Sequence, residues 1–283
     1  MTPKPTSRPW SDLERPPLDE AALRRALLTR EAPEALWTSL DLVTQTGSTN
    51  ADLVERAKAG TSEGAVLVAE EQTAGRGRLD RRWSAPARSG LFFSVLLRPA
   101  AVPVERWGWL PLLAGVATAA AVCRIAGIEV GLKWPNDLLV TVGGEERKAA
   151  GILAERVAGT GVVVGVGLNV TLRADELPVS VAGSLALAGA AVTDRDPLLR
   201  AVLRSLAEWY VKWRDAGGGP DACRLRDAYA AGCATLGREI RASMPGGREV
   251  AGTAVSIDNE GRLVVRTQSD EVVVDAGDVV HVR

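Results

Sequence analysis

Residues Glu70–Trp83 read EEQTAGRGRLDRRW and follow a short apolar run, Ala65–Ala69 (AVLVA). A bounded apolar run of this length is typical of a buried β-strand, so the basic stretch is predicted to be a loop leaving the edge of a sheet. Its glycines let the backbone approach a ligand, and its arginines can grip phosphate or carboxylate through paired hydrogen bonds. The residues concerned are Gly75, Gly77, Arg76, Arg78, Arg81 and Arg82. The stretch predicts an anion site, although such a segment is as often a solvated or nucleic-acid-binding loop.

Composition argues against several classes of protein. The chain has 283 residues, enough for one large domain and a small one. Its 34 basic and 35 acidic residues give a net charge of -1, which argues against general coating of nucleic acid. The only histidine is His281, which argues against a serine–histidine triad or a multi-histidine metal site. Three cysteines without paired spacing are interpreted as buried thiols in a reducing compartment: Cys123, Cys223 and Cys233.

The chain is predicted to be cytoplasmic, with no membrane-spanning segment. Its N-terminus lacks the apolar core of a signal peptide. The longest apolar run, Trp109–Cys123, contains Pro111 and is shorter than the roughly 20 residues that a membrane helix needs. Residues 1–17 are rich in proline and are expected to form a poorly ordered tail, followed by a short helix from Asp19 to about Arg30.

The periodicity of the apolar residues predicts an α+β fold with a mixed, largely antiparallel sheet backed by helices. Strands are predicted at Leu40–Thr46, Ala65–Ala69, Leu91–Arg98, Val130–Lys133, Leu138–Val142, Lys148–Val157 and Val162–Val170. Helices are predicted from Ser48 or Thr49 to Lys58 and at Glu105–Ala126, Asp194–Trp213 and Asp221–Cys233. Pro111 is the point at which the second of these helices would break. From Arg238 onward, short alternating segments between glycine-rich turns predict about five strands and a small SH3-like β-barrel.

Four further segments accompany the basic stretch in a fixed order. They are Gly47–Asn50 (GSTN), Lys133–Asp137 (KWPND), Lys148–Glu155 (KAAGILAE) and Gly165–Val170 (GVGLNV). Together the five segments resemble the biotin protein ligases, over about residues 47–170. The resemblance implies a class II synthetase-like catalytic domain that binds biotin and ATP at residues 37–234. An N-terminal tail and short helix at 1–36 would precede it, and the SH3-like domain at 235–283 would follow it. No helix-turn-helix domain fits before GSTN, so a monofunctional ligase is expected.

The resemblance implies a two-step reaction. Biotin and MgATP form biotinyl-5′-AMP and pyrophosphate, and a lysine of a biotin carboxyl carrier domain of an acyl-CoA carboxylase then takes the biotin. The negative charge that gathers in both steps calls for fixed cations, and Arg76, Arg78 and Lys148 are the predicted ones. Asp137 is predicted to position or deprotonate the acceptor amine. Leu79 and Asp80 stand where many members of the family have a glycine between the arginine pairs.

The resemblance also implies the binding residues. Biotin is expected to contact Ser48, Thr49, Gln72, Gly75, Arg76, Arg78, Trp83, Lys148 and Gly151. The nucleotide is expected to contact Arg78, Asn136, Lys148 and Asn169. Several of these residues have a structural alternative. GSTN is also a common strand-to-helix turn, Trp83 could be core filler, Asn136 and Asn169 could stabilise turns, and Asp137 could cap the WPND turn.

Two other functions compete with this interpretation. A lipoate or octanoyl ligase or transferase of the same fold shares the carrier-lysine chemistry, but GRGRxxRxW together with KWPND favours biotin. A biotin-sensing regulator that places the arginine loop on nucleic acid would show a steep salt dependence. The nearly neutral net charge argues against a nucleic-acid partner. The absence of GxxxxGK[ST] argues against a P-loop NTPase. The oligomeric state and the ligands of the metal ion do not follow from the sequence.

Overall fold

A computed structural model describes residues 15–28, 35–79, 81–157, 161–244, 246–275 and 277–282. Most of the predicted tail, including residues 1–14, lies outside this range, as does Asp80. The helices are α1 Glu20–Leu27, α2 Thr49–Lys58, α3 Trp109–Ala126, α4 Arg195–Asp215 and α5 Leu225–Gly232, with 3₁₀ turns at Val104–Gly108 and Ala174–Glu176. The first nine strands are β1 Ser39–Val43, β2 Ala65–Ala69, β3 Gly75–Arg76, β4 Arg82–Trp83, β5 Gly90–Leu97, β6 Gly131–Lys133, β7 Asp137–Val142, β8 Glu145–Val157 and β9 Gly161–Asn169. The last five are β10 Glu239–Ser243, β11 Glu249–Ile257, β12 Leu263–Arg266, β13 Glu271–Val274 and β14 Asp278–His281.

Seven strands form the main sheet, in the order β1-β2-β5-β9-β8-β7-β6. Only β1 and β2 are parallel, and α2 supplies the crossover that a parallel pair requires. The remaining pairs are antiparallel, and β7 joins β8 through a turn at Gly143 and Gly144, both with positive φ. The prediction of a mixed, largely antiparallel sheet backed by helices is confirmed.

The two faces of the sheet are packed differently. Alternate residues of β5 and β9, among them Phe93, Val95 and Val164, join the main core with α3 and α4. Residues that point to the other face include Leu96 and Val163, which pack with Leu53 of α2 in a much smaller cluster. The face on the α2 side is therefore only partly covered, and it has room for a cleft.

The C-terminal strands form a separate five-stranded antiparallel sheet in the order β13-β12-β11-β10-β14, as predicted. Two buried indoles attach it to the rest of the chain. Trp134 Nε1 donates to the carbonyl of Gly261 at 3.0 Å, and Trp109 Nε1 donates to that of Asn259 at 3.1 Å. A side chain at Gly108 would collide with the Glu260 carbonyl, so glycine is needed at this junction.

Several details of the prediction are corrected. The basic stretch leaves β2, an interior strand, and it contains the β3–β4 ribbon rather than an open loop. The predicted helix Glu105–Ala126 does not break at Pro111, because Pro111 lies in the first turn of α3, where proline is tolerated. Instead, its first residues form a 3₁₀ turn that ends at Gly108. Helix α5 begins at Leu225, after a turn, and not at Asp221. The cysteines are not fully buried thiols: Cys123 is exposed, and Cys223 and Cys233 are only partly buried.

One segment of the described residues, Val104–Ala126, is long and apolar enough to cross a membrane by length and composition. Within its most apolar stretch of 18 residues, 67% of the residues are buried inside the protein, and Leu112, Leu113 and Val116 belong to the main core. That burial is typical of the core helix of a soluble protein.

Candidate active site

A cleft of about 1090 Å³ opens on the face of the main sheet that α2 only partly covers. Its floor is made of glycines at the positions where β8 and β9 point toward this face: Gly151, Gly165 and Gly167. A Cβ atom at Gly167 would lie 2.7 Å from the Trp83 ring, one at Gly151 would lie 3.0 Å from it, and one at Gly165 would collide with Asn50. The glycines of GVGLNV and KAAGILAE therefore let Trp83 and Asn50 pack directly against the sheet at the floor of the cleft.

The GSTN segment places a polar cluster at one end of the cleft. Ser48 caps α2, and its hydroxyl accepts a hydrogen bond from the Ala51 amide at 3.4 Å. The backbone amide of Thr49 donates to Gln72 Oε1 at 2.9 Å, and its hydroxyl lies 3.2 Å from the same oxygen. Ser94 Oγ lies 2.8 Å from the Thr49 hydroxyl. Ser48, Thr49 and Gln72, three of the residues predicted to bind biotin, thus line one wall together.

The β3–β4 ribbon forms a second wall and carries the arginines. Arg78 Nη1 donates to Asn136 Oδ1 at 3.3 Å and to the carbonyl of Gly277 at 3.4 Å, so it joins the ribbon to both the WPND turn and the C-terminal sheet. Burial lowers the pKa of Arg78, and the neighbouring Arg81 lowers it further against the opposing effect of Asp137. Arg76 is about half exposed and forms an ion pair with Glu155 at 3.1 Å.

The tip of the ribbon has an unusual backbone. Leu79 has φ of 54°, in the left-handed region that favours glycine, and its side chain is exposed. Arg81 forms an ion pair with Asp278 of β14, so the end of the ribbon also contacts the C-terminal sheet.

Lys148 lines the cleft close to Trp83 of the ribbon. Its ammonium lies 2.6 Å from Asp137 Oδ1 and 5.7 Å from the centre of the Trp83 ring. Strand β8 bulges here, because Leu138 and Leu139 of β7 pair with Ala150 and Lys148, which leaves the intervening residue unpaired. Bulges redirect side chains beside active sites, and this one brings Lys148 and Asp137 into contact.

The other predicted residues are mostly brought to the same cleft. The partly buried Trp83 lies against the glycine floor, and its buried Nε1 has no hydrogen-bond partner among the described residues. Asn136 Nδ2 donates to the Ile152 carbonyl, and Asn169 Nδ2 donates to the Gly183 carbonyl, each at 3.0 Å. The buried Oδ1 of Asn169 has no partner among the described residues. Gly75 is the exception, since it packs inside the ribbon against Trp83 and does not line the cleft.

Sequence reasoning missed several residues that border the cleft. Asn50 Nδ2 donates to Glu155 Oε2 at 2.9 Å and thereby holds the partner of Arg76. Lys133 also lines the cleft, and burial lowers its pKa. Strand β14 contributes Asp278 and His281. Asn50 and Lys133 belong to the GSTN and KWPND segments, although they were not among the predicted binding residues. No local sequence signal identifies Asp278 and His281, because long-range packing brings β14 to the site.

The arrangement defines a class of site: a polar end that suits a neutral ring, a cationic wall that suits phosphate, and an exposed mouth. Residues 42–169 match the family model described as "Biotin/lipoate A/B protein ligase family", and residues 235–282 match that described as "Biotin protein ligase C terminal domain". The chain belongs to the biotin/lipoate A/B protein ligase family.

Individual relatives cover nearly the whole chain. A "Biotin--[acetyl-CoA-carboxylase] ligase" of Mycobacterium tuberculosis is 46% identical, over 96% of this chain and 98% of its own length. A "Bifunctional ligase/repressor BirA" of Bacillus spizizenii is 33% identical, over 89% of this chain and 75% of its own. The solved structure "Biotin protein ligase from Aquifex aeolicus in complex with biotin and ATP" superposes with a TM-score of 0.71 at 28% identity, over 87% of this chain and all of that one.

Proposed function

We propose that this protein is an ATP-dependent biotin protein ligase. A carboxylate oxygen of biotin attacks the α-phosphorus of MgATP, the bond to the β-phosphate oxygen breaks, and biotinyl-5′-AMP and pyrophosphate form. The amine of a lysine on a biotin carboxyl carrier domain of an acyl-CoA carboxylase then attacks the anhydride carbonyl and loses a proton, and AMP leaves. The 46% identity to a protein named as such a ligase supports this proposal, and so does the matched biotin-specific C-terminal domain.

The observation that carries the proposal is the convergence of five separate sequence segments on one cleft. Thr49 and Gln72 stand at its polar end, and Arg78 and Lys148 stand at its cationic wall. Ser48, Thr49 and Gln72 offer hydroxyl and amide groups that suit the adjacent donors and acceptors of the biotin ureido ring. The residues proposed to surround the biotin further along the cleft are Gly75, Arg76, Trp83 and Gly151, of which Gly75 acts only through the ribbon.

The cationic wall suits the chemistry of both half-reactions. Negative charge develops beside the α-phosphate and the carboxyl oxygen, and each preorganised donor in a water-poor site stabilises it by about 3–4 kcal/mol. In the proposal Lys148 supplies a point charge from a strand, while Arg76 and Arg78 supply planar forks from a ribbon that can close. Asn136 and Asn169 are proposed to contact the nucleotide, and the unpartnered Oδ1 of Asn169 supports this role.

Asp137 is proposed to change partner between the two half-reactions. Its carboxylate pairs with Lys148 at 2.6 Å. When Lys148 turns to the phosphate, the carboxylate becomes free to orient or deprotonate the acceptor amine, because an ammonium group is not a nucleophile until it loses a proton. Magnesium is proposed to enter with the nucleotide, held mainly by phosphate oxygens and water. The described residues contain no group of three His, Cys, Asp or Glu side chains that could hold a metal ion.

The proposal extends to organisation and location. The domain division is 1–36, 37–234 and 235–283, with the protein in the cytoplasm and with neither nucleic acid nor a membrane as partner.

The proposed reaction is tested by incubation with biotin, MgATP and a carrier domain, followed by intact-mass measurement of the carrier. A mass gain of one biotinyl group is expected. The proposal would be contradicted if the carrier gained mass with lipoate or octanoate instead of biotin. Tight and steeply salt-dependent binding of DNA would also contradict it.

Replacing Arg78 by glycine is expected to shorten the half-life of the bound intermediate on the order of ten- to hundredfold, because the ribbon loses its charged link to Asn136 and Gly277 and the phosphate loses a fork. Released biotinyl-5′-AMP should then label bystander lysines. Rapid filtration measures the half-life. Arg78→Lys keeps the charge without the fork, so its half-life should lie between those of the wild type and Arg78→Gly. An unchanged half-life in Arg78→Gly would count against this role.

The mouth of the cleft is unusually apolar. The five most exposed large hydrophobic side chains of the described residues are Leu79, Val179, Val181, Val280 and Val282. Four of them line the cleft, and Leu79 follows Arg78. An acceptor lysine has to pass this rim to reach the cleft, so the rim is the proposed docking surface of the carrier domain.

Val280→Asp is therefore expected to raise the KM for the carrier domain about tenfold, since a charge is placed at an apolar contact. Biotinyl-5′-AMP synthesis without the carrier should change far less. The control is Val273→Asp, which alters an exposed valine of the same sheet that does not line the cleft. Equal KM values for the two variants, measured by transfer of radiolabelled biotin, would exclude Val280 from docking.

A further inference from the structure

Two connecting segments border the cleft: the β3–β4 ribbon and the loop formed by residues 171–184. At the tip of this loop, Pro178, Val179, Val181 and Ala182 line the cleft. Its backbone is bonded to Lys148 on both sides, because the Lys148 amide donates to the Val181 carbonyl and the Gly183 amide donates to the Lys148 carbonyl, each at 2.8 Å. The position of the loop and the backbone that presents the Lys148 ammonium are therefore coupled.

The outer side of the 171–184 loop is held by a residue far away in the sequence. Arg15 donates to the Thr171 carbonyl at 2.8 Å and to both carboxylate oxygens of Glu176, at 3.1 and 2.5 Å. The two side chains are only 11% and 15% exposed. Although burial opposes ionisation of Glu176, the hydrogen bonds from Arg15 and from the Arg173 amide keep the pKa of Glu176 below its ordinary value. Arg15 is thus a forked, charged link across the base of the loop.

The segment that carries Arg15 is itself fixed to the start of the basic stretch. The Leu18 amide donates to Glu70 Oε1 at 2.7 Å. Arg195 donates to the Pro16 carbonyl at 2.5 Å and to Glu70 Oε2 at 2.6 Å. Residues 15–18 therefore join Glu70, which follows β2 and leads into the ribbon, to the base of the 171–184 loop.

We propose that Arg15 is a positioning residue: it holds the 171–184 loop against Lys148 and so governs how long the cleft retains its activated intermediate. This inference rests on the proposed function for the identity of that intermediate. Without Arg15 the Thr171 carbonyl and the Glu176 carboxylate lose their link to the anchored segment. Among the described residues, Glu176 then keeps Arg173, within its own turn, as its hydrogen-bond partner. Local opening of the loop then becomes more frequent, because fewer contacts hold it closed.

The first test is hydrogen–deuterium exchange of the full-length protein without ligand. In Arg15→Ala the amides of residues 172–183 are expected to exchange on the order of tenfold faster, because a buried charge-assisted link is lost. Arg15→Lys keeps a charge for Glu176 but cannot also reach Thr171 with a fork, so it should restore part of the protection. The matched control is Arg24→Ala. Arg24 is on the same N-terminal segment, but it forms exposed ion pairs with Glu20 and Asp41 and not with the loop.

The second test is the dissociation half-life of biotinyl-5′-AMP, which should fall by a similar factor in Arg15→Ala and stay unchanged in Arg24→Ala. The inference would be overturned by unchanged exchange of the loop in Arg15→Ala or by an equal increase in Arg24→Ala. An unchanged half-life in Arg15→Ala, in a protein whose wild type retains biotinyl-5′-AMP, would also overturn it. Exchange is measured without ligand, so it decides the inference even if the wild-type protein forms no biotinyl-5′-AMP. That last result would contradict the proposed function alone.

Discussion

Lys148→Ala is expected to abolish measurable synthesis of biotinyl-5′-AMP while the protein stays folded. Its ammonium is the cation that the bulged strand β8 brings to the cleft, and loss of one preorganised charge of this kind costs about 3–4 kcal/mol of transition-state stabilisation, or roughly 100- to 1000-fold in rate. The side chain is about one third exposed, so its removal should cost the fold little. Pyrophosphate release measures the first half-reaction directly.

Two companion variants test whether the loss is specific to Lys148 and which half-reaction depends on Asp137. Lys133→Ala removes another cation that lines the cleft, and a much smaller effect is expected because Lys133 is not paired with Asp137 within the described residues. Asp137→Asn should slow transfer to the carrier more than it slows adenylation if the carboxylate acts on the acceptor amine. If both half-reactions slow equally, Asp137 serves only to position Lys148. Normal pyrophosphate release by Lys148→Ala would remove this lysine from the mechanism.

Much of the fold and the core of the site could be predicted because local patterns determine them. In GVGLNV the alternation of β9 places valine and leucine in the core and Gly165 and Gly167 on the opposite face, so the motif itself makes the floor of the cleft. The N-cap at Ser48 and the hairpin at Gly143 and Gly144 are likewise local features. Residue type and spacing were enough to predict these.

Contacts between distant segments could not be predicted in this way. Arg78 meets Gly277, 199 residues away, and Arg15 meets Glu176, 161 residues away. Neither pair has a periodic or compositional signature, because each depends on how whole elements pack.

The exposure of Cys123 was missed for a related reason. It lies on α3, whose predominantly apolar sequence does not show which side is left uncovered by α4 and α5.

The buried pair of Glu70 and Arg195 gives the largest expected change in stability. The two side chains are 6% and 5% exposed and lie 2.6 Å apart, and Arg195 also donates to the Gly90 carbonyl at 3.2 Å. Arg195→Met keeps the bulk of the side chain but leaves the Glu70 carboxylate buried without its counter-ion. Removing one partner of such a pair typically costs about 3–5 kcal/mol. Urea unfolding followed by far-UV circular dichroism measures the free energy of unfolding.

Helix α4 offers a matched control for this variant. Lys212→Met breaks an exposed ion pair with Glu208, which should change the free energy of unfolding by at most about 0.5 kcal/mol. The double variant Arg195→Met with Glu70→Gln should recover part of the loss, because the uncompensated charge is then gone. Equal losses in Arg195→Met and Lys212→Met would show that the pair contributes no more than a surface contact. Because Glu70 leads into the arginine ribbon, the Arg195→Met protein should also hold biotinyl-5′-AMP less well before it unfolds.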